Sequence, residues 1–147
     1  MNRSTAKILV IEDSDEDFYA TDRAFKKSGI ANPLVRCCDG EDALEYLNKT
    51  GRYSESKDEQ LPNVILLDLN LPRLDGREFL THIKSDIHFK KIPVIVLTTS
   101  NDEKDIEHCY AHGANSYIQK PVDLQRFIES IQRLKNYWFE IVVLPNL

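Results

Sequence analysis

No run of apolar residues in this 147-residue chain is longer than about four, far short of the ~20 that a membrane-spanning helix needs. The segment from Met1 to Ala6 is mostly polar and no secretory hydrophobic region follows it, so neither a membrane partner nor export is expected. Cysteine is scarce: Cys37, Cys38 and Cys109 are odd in number, two are adjacent, and they fit neither a disulfide framework nor a Cys-x-x-Cys metal pair. That usage points to the reducing cytoplasm. Basic residues are in deficit, 19 Lys and Arg against 24 Asp and Glu, which gives a net charge of −5 and argues against a nucleic-acid partner. The first strand-to-helix loop has no Gly-x-Gly-x-x-Gly phosphate cradle, and no repeat or low-complexity stretch is present. What remains is ordinary globular composition, 41% hydrophobic and 29% charged, at a length that suits one domain.

Five short strand-like segments recur: Ile8–Ile11, Leu34–Cys38, Val64–Leu67, Ile92–Leu97 and Ser116–Ile118. The first, third and fourth are nearly unbroken runs of Val, Ile and Leu, as in strands buried on both faces; Pro93 interrupts the fourth. Helical periodicity fills the intervals. Phe18, Thr21, Ala24 and Phe25 share a face of Asp15–Ser28, with Gly29 as its stop. Ala43, Leu44 and Leu47 stripe Gly40–Leu47, and Phe79, Leu80 and Ile83 stripe Gly76–Ser85. A fourth helix starts near Asp102, capped by Ser100 or Asn101, and Asp123 caps a fifth striped by Phe127, Ile128, Ile131, Leu134 and Trp138. Alternating strand and helix predicts a doubly wound α/β domain with a parallel sheet. Asn48 to Asn63 reads as an exposed polar loop, and the apolar tail from Glu140 to Leu147 must pack on its own domain or on a second molecule.

Ligands of such sheets bind beyond the carboxyl ends of the strands. There the sequence sets Glu12 and Asp13 after the first strand, Asp68 after the third with Asn70 beyond it, Thr98 after the fourth and Lys120 after the fifth. Two unit charges ~4 Å apart interact by ~4 kcal/mol at an effective dielectric near 20, so three converging carboxylates need a cation, a raised pKa or both. A hard divalent ion such as Mg²⁺ suits oxygen ligands and leaves room for phosphate oxygens, and Lys120 adds a point charge.

These residues together resemble the receiver domain of two-component response regulators. The matching features are the Glu12-Asp13 pair, Asp68 ending VILLD, Thr98 ending VIVLT and Lys120 in QKP, with 30 residues from Asp68 to Thr98 and 22 more to Lys120. The resemblance implies a flavodoxin-like five-stranded sheet of order 2-1-3-4-5 over residues 6–137, with 138–147 as a C-terminal dimerisation extension. It implies that Asp68 accepts a phosphoryl group from a histidine kinase, with at most weak self-dephosphorylation and no other enzymatic activity. It further implies Mg²⁺ on Asp13, Asp68 and the backbone carbonyl of Asn70, with Glu12 acting through water. Thr98 and Lys120 would meet the phosphoryl oxygens, Tyr117 would swing inward on activation, and Lys120–Pro121 would be a cis bond. The loop ending in LPNVILLDLNLP, the DGRE helix start and the YWFEIVVLP tail further resemble the small regulators that partner bacterial and cyanobacterial phytochromes. That implies a phytochrome kinase as partner and a homodimer, with Trp138, Phe139, Ile141, Val143 and Leu144 as interface residues. With no output domain after residue 137, signalling would pass to a downstream protein still unknown.

Plainer roles compete at several positions. Asp68 alone could be a turn-former, Lys120 a surface lysine and Tyr117 a half-buried aromatic. His108 and His112, four apart, could hold a metal but lack a third ligand. Cys37 and Cys38 should face opposite sides of their strand. The main rival is an aspartyl-phosphate phosphatase or phosphotransferase of the haloacid-dehalogenase kind. That chemistry needs a carboxylate two residues after the nucleophile as general acid and base, where this chain has Asn70. An FMN binder would need a Ser/Thr/Gly-rich loop where EDSDED stands, and a phosphorylation-independent relic would not need Asp68, Thr98 and Lys120 together.

Overall fold

A computed structural model describes residues 6–27, 32–56 and 59–147. Five parallel strands, β1 (Ile8–Ile11), β2 (Leu34–Cys37), β3 (Val64–Leu67), β4 (Val94–Thr98) and β5 (Ser116–Gln119), form one sheet in the order β2-β1-β3-β4-β5. The helices are α1 (Asp15–Lys27), α2 (Gly40–Asn48), α3 (Gly76–Ser85), α4 (Glu103–Ala111) and α5 (Leu124–Asn136). The expected fold and strand order hold. Gly29 lies outside the described residues.

The unbroken apolar strands are explained by two cores divided by the sheet. Leu9, Ile11, Ile65, Leu67, Val94 and Val96 pack with α2, α3 and Cys109 of α4, whereas Ile8, Val10, Val64, Leu66, Ile95 and Leu97 pack with α1 and α5. Period-two alternation is present, but both faces are apolar, so it does not show in the sequence. The fourth strand starts two residues later than expected. Pro93 has no N–H to give the ladder, although its carbonyl accepts from Ile65 N at 2.9 Å.

Four further expectations are corrected. The 48–63 segment is not free loop: Gly51–Ser56 forms a 3₁₀ turn whose Tyr53 packs edge-on against Tyr46 and donates to Asp42 at 2.9 Å. The α4 cap is Asp102, which accepts from Lys104 N at 3.0 Å, because the Ser100 hydroxyl is turned to Asp105. Asp123 holds the cap position of α5 without a side-chain bond. The Lys120–Pro121 peptide is trans, the isomer an X–Pro bond favours by about 0.5–1 kcal/mol.

The C-terminal segment also differs. α5 runs on as a π-turn, Tyr137–Ile141, which places Phe139 edge-to-face on Phe25 with 1% exposure. Phe139 is therefore a core residue and cannot serve as an interface contact. Trp138 and Leu144 are partly buried against the same core, leaving Tyr137, Ile141 and Val143 exposed. Beside Phe139, Lys135 is fully buried and donates to the Phe25 carbonyl at 2.8 Å near the end of α1. Burial lowers its pKa.

Close approach at one glycine sets the height of the β3 edge. A Cβ on Gly76 would lie 2.2 Å from the Asp68 carbonyl oxygen and 2.7 Å from the Leu69 Cα, both backbone atoms that cannot turn aside. Gly76→Ala is therefore expected to destabilise the fold by about 1–3 kcal/mol by overpacking, although helix propensity alone would favour alanine. Denaturant unfolding measures the net change; a stability equal to or above the parent would show that the backbone yields without cost.

Candidate phosphoacceptor and metal site

The carboxyl ends of the strands deliver the expected residues to one place. Glu12 follows β1 and Asp68 follows β3, both buried; Thr98 closes β4 with no exposed surface; Lys120 follows β5 and is 5% exposed. The Lys120 ammonium donates to Glu12 Oε1 at 2.5 Å, Asp17 Oδ2 at 2.7 Å and Asp68 Oδ2 at 3.2 Å. Asp68 Oδ1 accepts from the Asn70 N–H at 3.4 Å, and the Thr98 hydroxyl accepts from Ser100 N at 3.5 Å. Tyr117 is turned onto the loop after β4, where its hydroxyl donates to the Ser100 carbonyl at 2.9 Å.

Among the described residues, the one set of carboxylate, His or Cys ligands grouped closely enough for a metal is Glu12, Asp13 and Asp68, whose oxygens lie within 4.8 Å of one another. Asp13 is exposed and opens the cluster to solvent. An all-oxygen set with an open side fits a hard divalent cation that keeps some of its water. His108 and His112 do not form a second site: their rings stack at 4.1 Å and His112 Nδ1 lies 2.8 Å from the His108 carbonyl.

Charge in the site is unevenly settled. Burial pushes the Glu12 carboxyl up to about 7, against the pull of Lys120 and with the help of the Asp68 charge. Burial would lower Lys120, but its hydrogen bonds to Asp17 and Glu12 and the charges of Glu12 and Asp68 win, and its pKa is raised. One ammonium faces three carboxylates, and the buried Glu12 is the one whose affinity for a proton is raised.

Residues 8–132 match the response regulator receiver domain. The chain belongs to that family. It is 41% identical over 138 residues, 94% of this chain and 92% of the relative, to the response regulator Rcp1 of Synechocystis sp.. Among solved structures it is similar to the phosphorylated cyanobacterial phytochrome response regulator RcpA, with a TM-score of 0.91, 38% identity and 97% and 99% of the two chains covered. It is equally similar to the Mn²⁺-bound form of Rcp1, with a TM-score of 0.90, 39% identity and coverage of 96% and 99%. The relation to phytochrome response regulators read from the loop, the DGRE helix start and the tail is thereby confirmed. No described helix is long and apolar enough to cross a membrane.

The sequence reading missed Asp17. It stands in the EDSDED run, four residues after Asp13, in the first turn of α1. The Ser14 hydroxyl does accept from the Asp17 N–H at 3.3 Å, while the Asp17 side chain reaches Lys120. The missed signal was an excess of acids: Ser14 already supplies the cap, so Asp17 is not needed for it.

The raised Glu12 pKa carries a pH dependence. Between the unfolded value near 4.5 and the folded value of about 7, the folded chain binds the extra proton, so metal-free stability falls as pH rises through that window. A divalent ion needs ionised ligands, so its affinity should rise through pH 7. Glu12→Gln should flatten both profiles, as read by unfolding and by calorimetric titration. A parent protein whose Mg²⁺ affinity is constant from pH 6 to 8 would contradict the assignment.

Proposed function

We propose that this protein is a phosphorylation-controlled response regulator in which Asp68 takes a phosphoryl group from the phosphohistidine of a histidine kinase, with a phytochrome kinase as donor. The observation that carries the reading is the Asp68 carboxylate at the β3 edge, within hydrogen-bond reach of Lys120 and in a cluster fit for a divalent ion. In the transfer an Asp68 oxygen attacks phosphorus, the P–N bond to the donor imidazole breaks and a P–O bond forms. Such transfer rests on positioning and charge neutralisation. Mg²⁺ held by Asp13, Asp68 and the Asn70 carbonyl, with Glu12 through water, would neutralise charge on the transferring oxygens. Lys120 orients Asp68 and is near enough to follow the phosphoryl oxygens. Thr98, at the adjoining strand end, can donate its hydroxyl to one of them. Asn70, where a phosphatase would need a proton shuttle, leaves the chain a phosphoacceptor rather than an enzyme with a turnover cycle.

A concave face beside the cluster supports docking of the donor protein there. A cavity of about 1040 Å³ lies between α1 and the start of α5, lined by Tyr19, Arg23, Val122, Leu124 and Phe127, and it reaches Asp17 and Lys120 at the edge of the cluster. Incubation with acetyl phosphate and Mg²⁺ should add the mass of one phosphoryl group, and Asp68→Asn should abolish it. An adduct formed by the variant at the parent rate would refute the assignment.

The exposed C-terminal face supports a homodimer. Ile141 and Val143 are 67% and 84% exposed, with Tyr137 beside them at 53%, whereas Phe139 is buried and Trp138 and Val142 are partly buried. Burying one Ile or Val fully is worth about 1.5–3 kcal/mol, and a two-fold contact counts each twice. Ile141→Asp with Val143→Asp leaves Phe139 in place, so the fold should survive. Sedimentation velocity should find the parent dimeric and the variant monomeric; a monomeric parent at all concentrations would remove the dimer from the reading.

A further inference from the structure

A lysine ammonium has three N–H groups to give, and in Lys120 all three are engaged. Glu12 Oε1 accepts at 2.5 Å, Asp17 Oδ2 at 2.7 Å and Asp68 Oδ2 at 3.2 Å. Glu12 and Asp68 stand at strand ends and belong to the metal cluster with Asp13, whereas Asp17 comes from the first turn of α1 and does not. The ammonium is buried, so a new acceptor can bind it only by displacing one of these three.

Asp17 is aimed at Lys120 by the helix itself. Its N–H donates to the Ser14 hydroxyl at 3.3 Å, and its carbonyl accepts from the Thr21 hydroxyl at 2.9 Å. The two other acids of that turn go elsewhere: Asp15 pairs with Arg36 at 2.8 Å, and Glu16 is exposed. The three acceptors also differ in what losing the ammonium costs them. The Glu12 and Asp68 side chains are 6% and 10% exposed, and a buried carboxylate left without its partner is expensive. The Asp17 side chain is 37% exposed, on the wall of the cavity between α1 and α5, and water can take over its bond.

We propose that Asp17 is a positioning residue that competes with the phosphoryl oxygens for Lys120 and so sets how readily the site is occupied. This rests on Asp68 being the phosphoacceptor. A phosphoryl oxygen on Asp68 needs an N–H of Lys120, and Asp17 is the acceptor that gives it up. The Lys120–Asp17 bond exists only in the unoccupied site, so its strength counts against the occupied one. Asp17→Asn keeps the shape of the side chain but replaces a charge-assisted bond with a weaker neutral one, and occupation becomes easier.

The test uses the full chain with beryllofluoride, an anion that takes the place of a phosphoryl group on a carboxylate oxygen. Its dissociation constant is read by calorimetric titration at Mg²⁺ concentrations that saturate each protein. Intact mass after acetyl phosphate checks the phosphoacceptor, and thermal unfolding checks that each variant is folded. Asp17→Asn should bind beryllofluoride about two- to fivefold more tightly than the parent, the range for one ion pair open to water. Asp17→Glu, which keeps the carboxylate, should stay near the parent. Glu16→Gln removes the same charge one residue away with no bond to Lys120 and should also stay near it. A merely structural role for Asp17 would lower stability and would not tighten binding. Affinity in folded Asp17→Asn equal to or weaker than the parent's, or an equal gain in Glu16→Gln, overturns the proposal and leaves the phosphoacceptor standing. A parent that gains no phosphoryl mass overturns both.

Discussion

The ammonium of Lys120 is what permits the rest of the site to exist. Glu12, Asp17 and Asp68 all accept from it, and Asp13 stands close by. Without a cation, like charges at such separations would repel by several kcal/mol even at an effective dielectric near ~20. The fold carries Lys120 to this position from β5, two strands away from β3 and three from β1, so the sheet order itself decides which carboxylates the ammonium can meet. One cation serves three anions, and burial, helped by the neighbouring Asp68 charge, raises the Glu12 carboxyl to about 7. A carboxylate cluster left short of positive charge is already prepared for a divalent ion, and the fit of the donor set follows from that deficit.

The parts of the fold legible in the sequence are those where composition alone decides. Ile8–Ile11 and Val64–Leu67 are apolar on both faces, and their bounds could be read to the residue. Gly76–Ser85 was equally plain, because a glycine, an amphipathic stripe and an Asp cap agree. Asp68, Thr98 and Lys120 were legible because strand ends are positions that topology defines. What could not be read depends on partners far apart in the chain. Lys135 looks like a solvated helix residue until the end of α1 is seen to offer it a carbonyl. The Arg77–Asp105 pair spans 28 residues and two helices. Phe139 reads as an interface residue because the tail is apolar almost throughout; a π-turn, which sequence periodicity does not show, sets it in the core and leaves Tyr137 and Ile141 exposed.

The 3₁₀ turn at Gly51–Ser56 shows how a polar segment becomes ordered without an apolar core of its own. Arg52 and Tyr53 converge on Asp42, and the Tyr53 hydroxyl lies 3.7 Å from Cys37 Sγ. Burial pushes that thiol up to about 12, so Cys37 is an inert packing residue, while Cys38, one residue beyond the end of β2, is exposed. The adjacent cysteines thus differ in burial at the point where β2 ends, and the residues that stiffen the loop leave the strand-end site untouched.

A phosphoryl group on Asp68 would replace a single negative charge with nearly two and add acceptor oxygens. Lys120 is already shared, so any closer contact with the new oxygens comes at the expense of Glu12 or Asp17. Asp17 is the looser of the two, on the outward turn of α1 with 37% of its side chain exposed, whereas Glu12 is buried and is the carboxyl that can hold a proton. With a phosphoryl group on Asp68, the least costly redistribution would release Asp17 to water and leave the buried Glu12 in place. Through Lys120 the hydrogen bonds around Asp68 reach beyond the strand ends to Asp17 of α1, so a change in the charge of Asp68 would be felt there first.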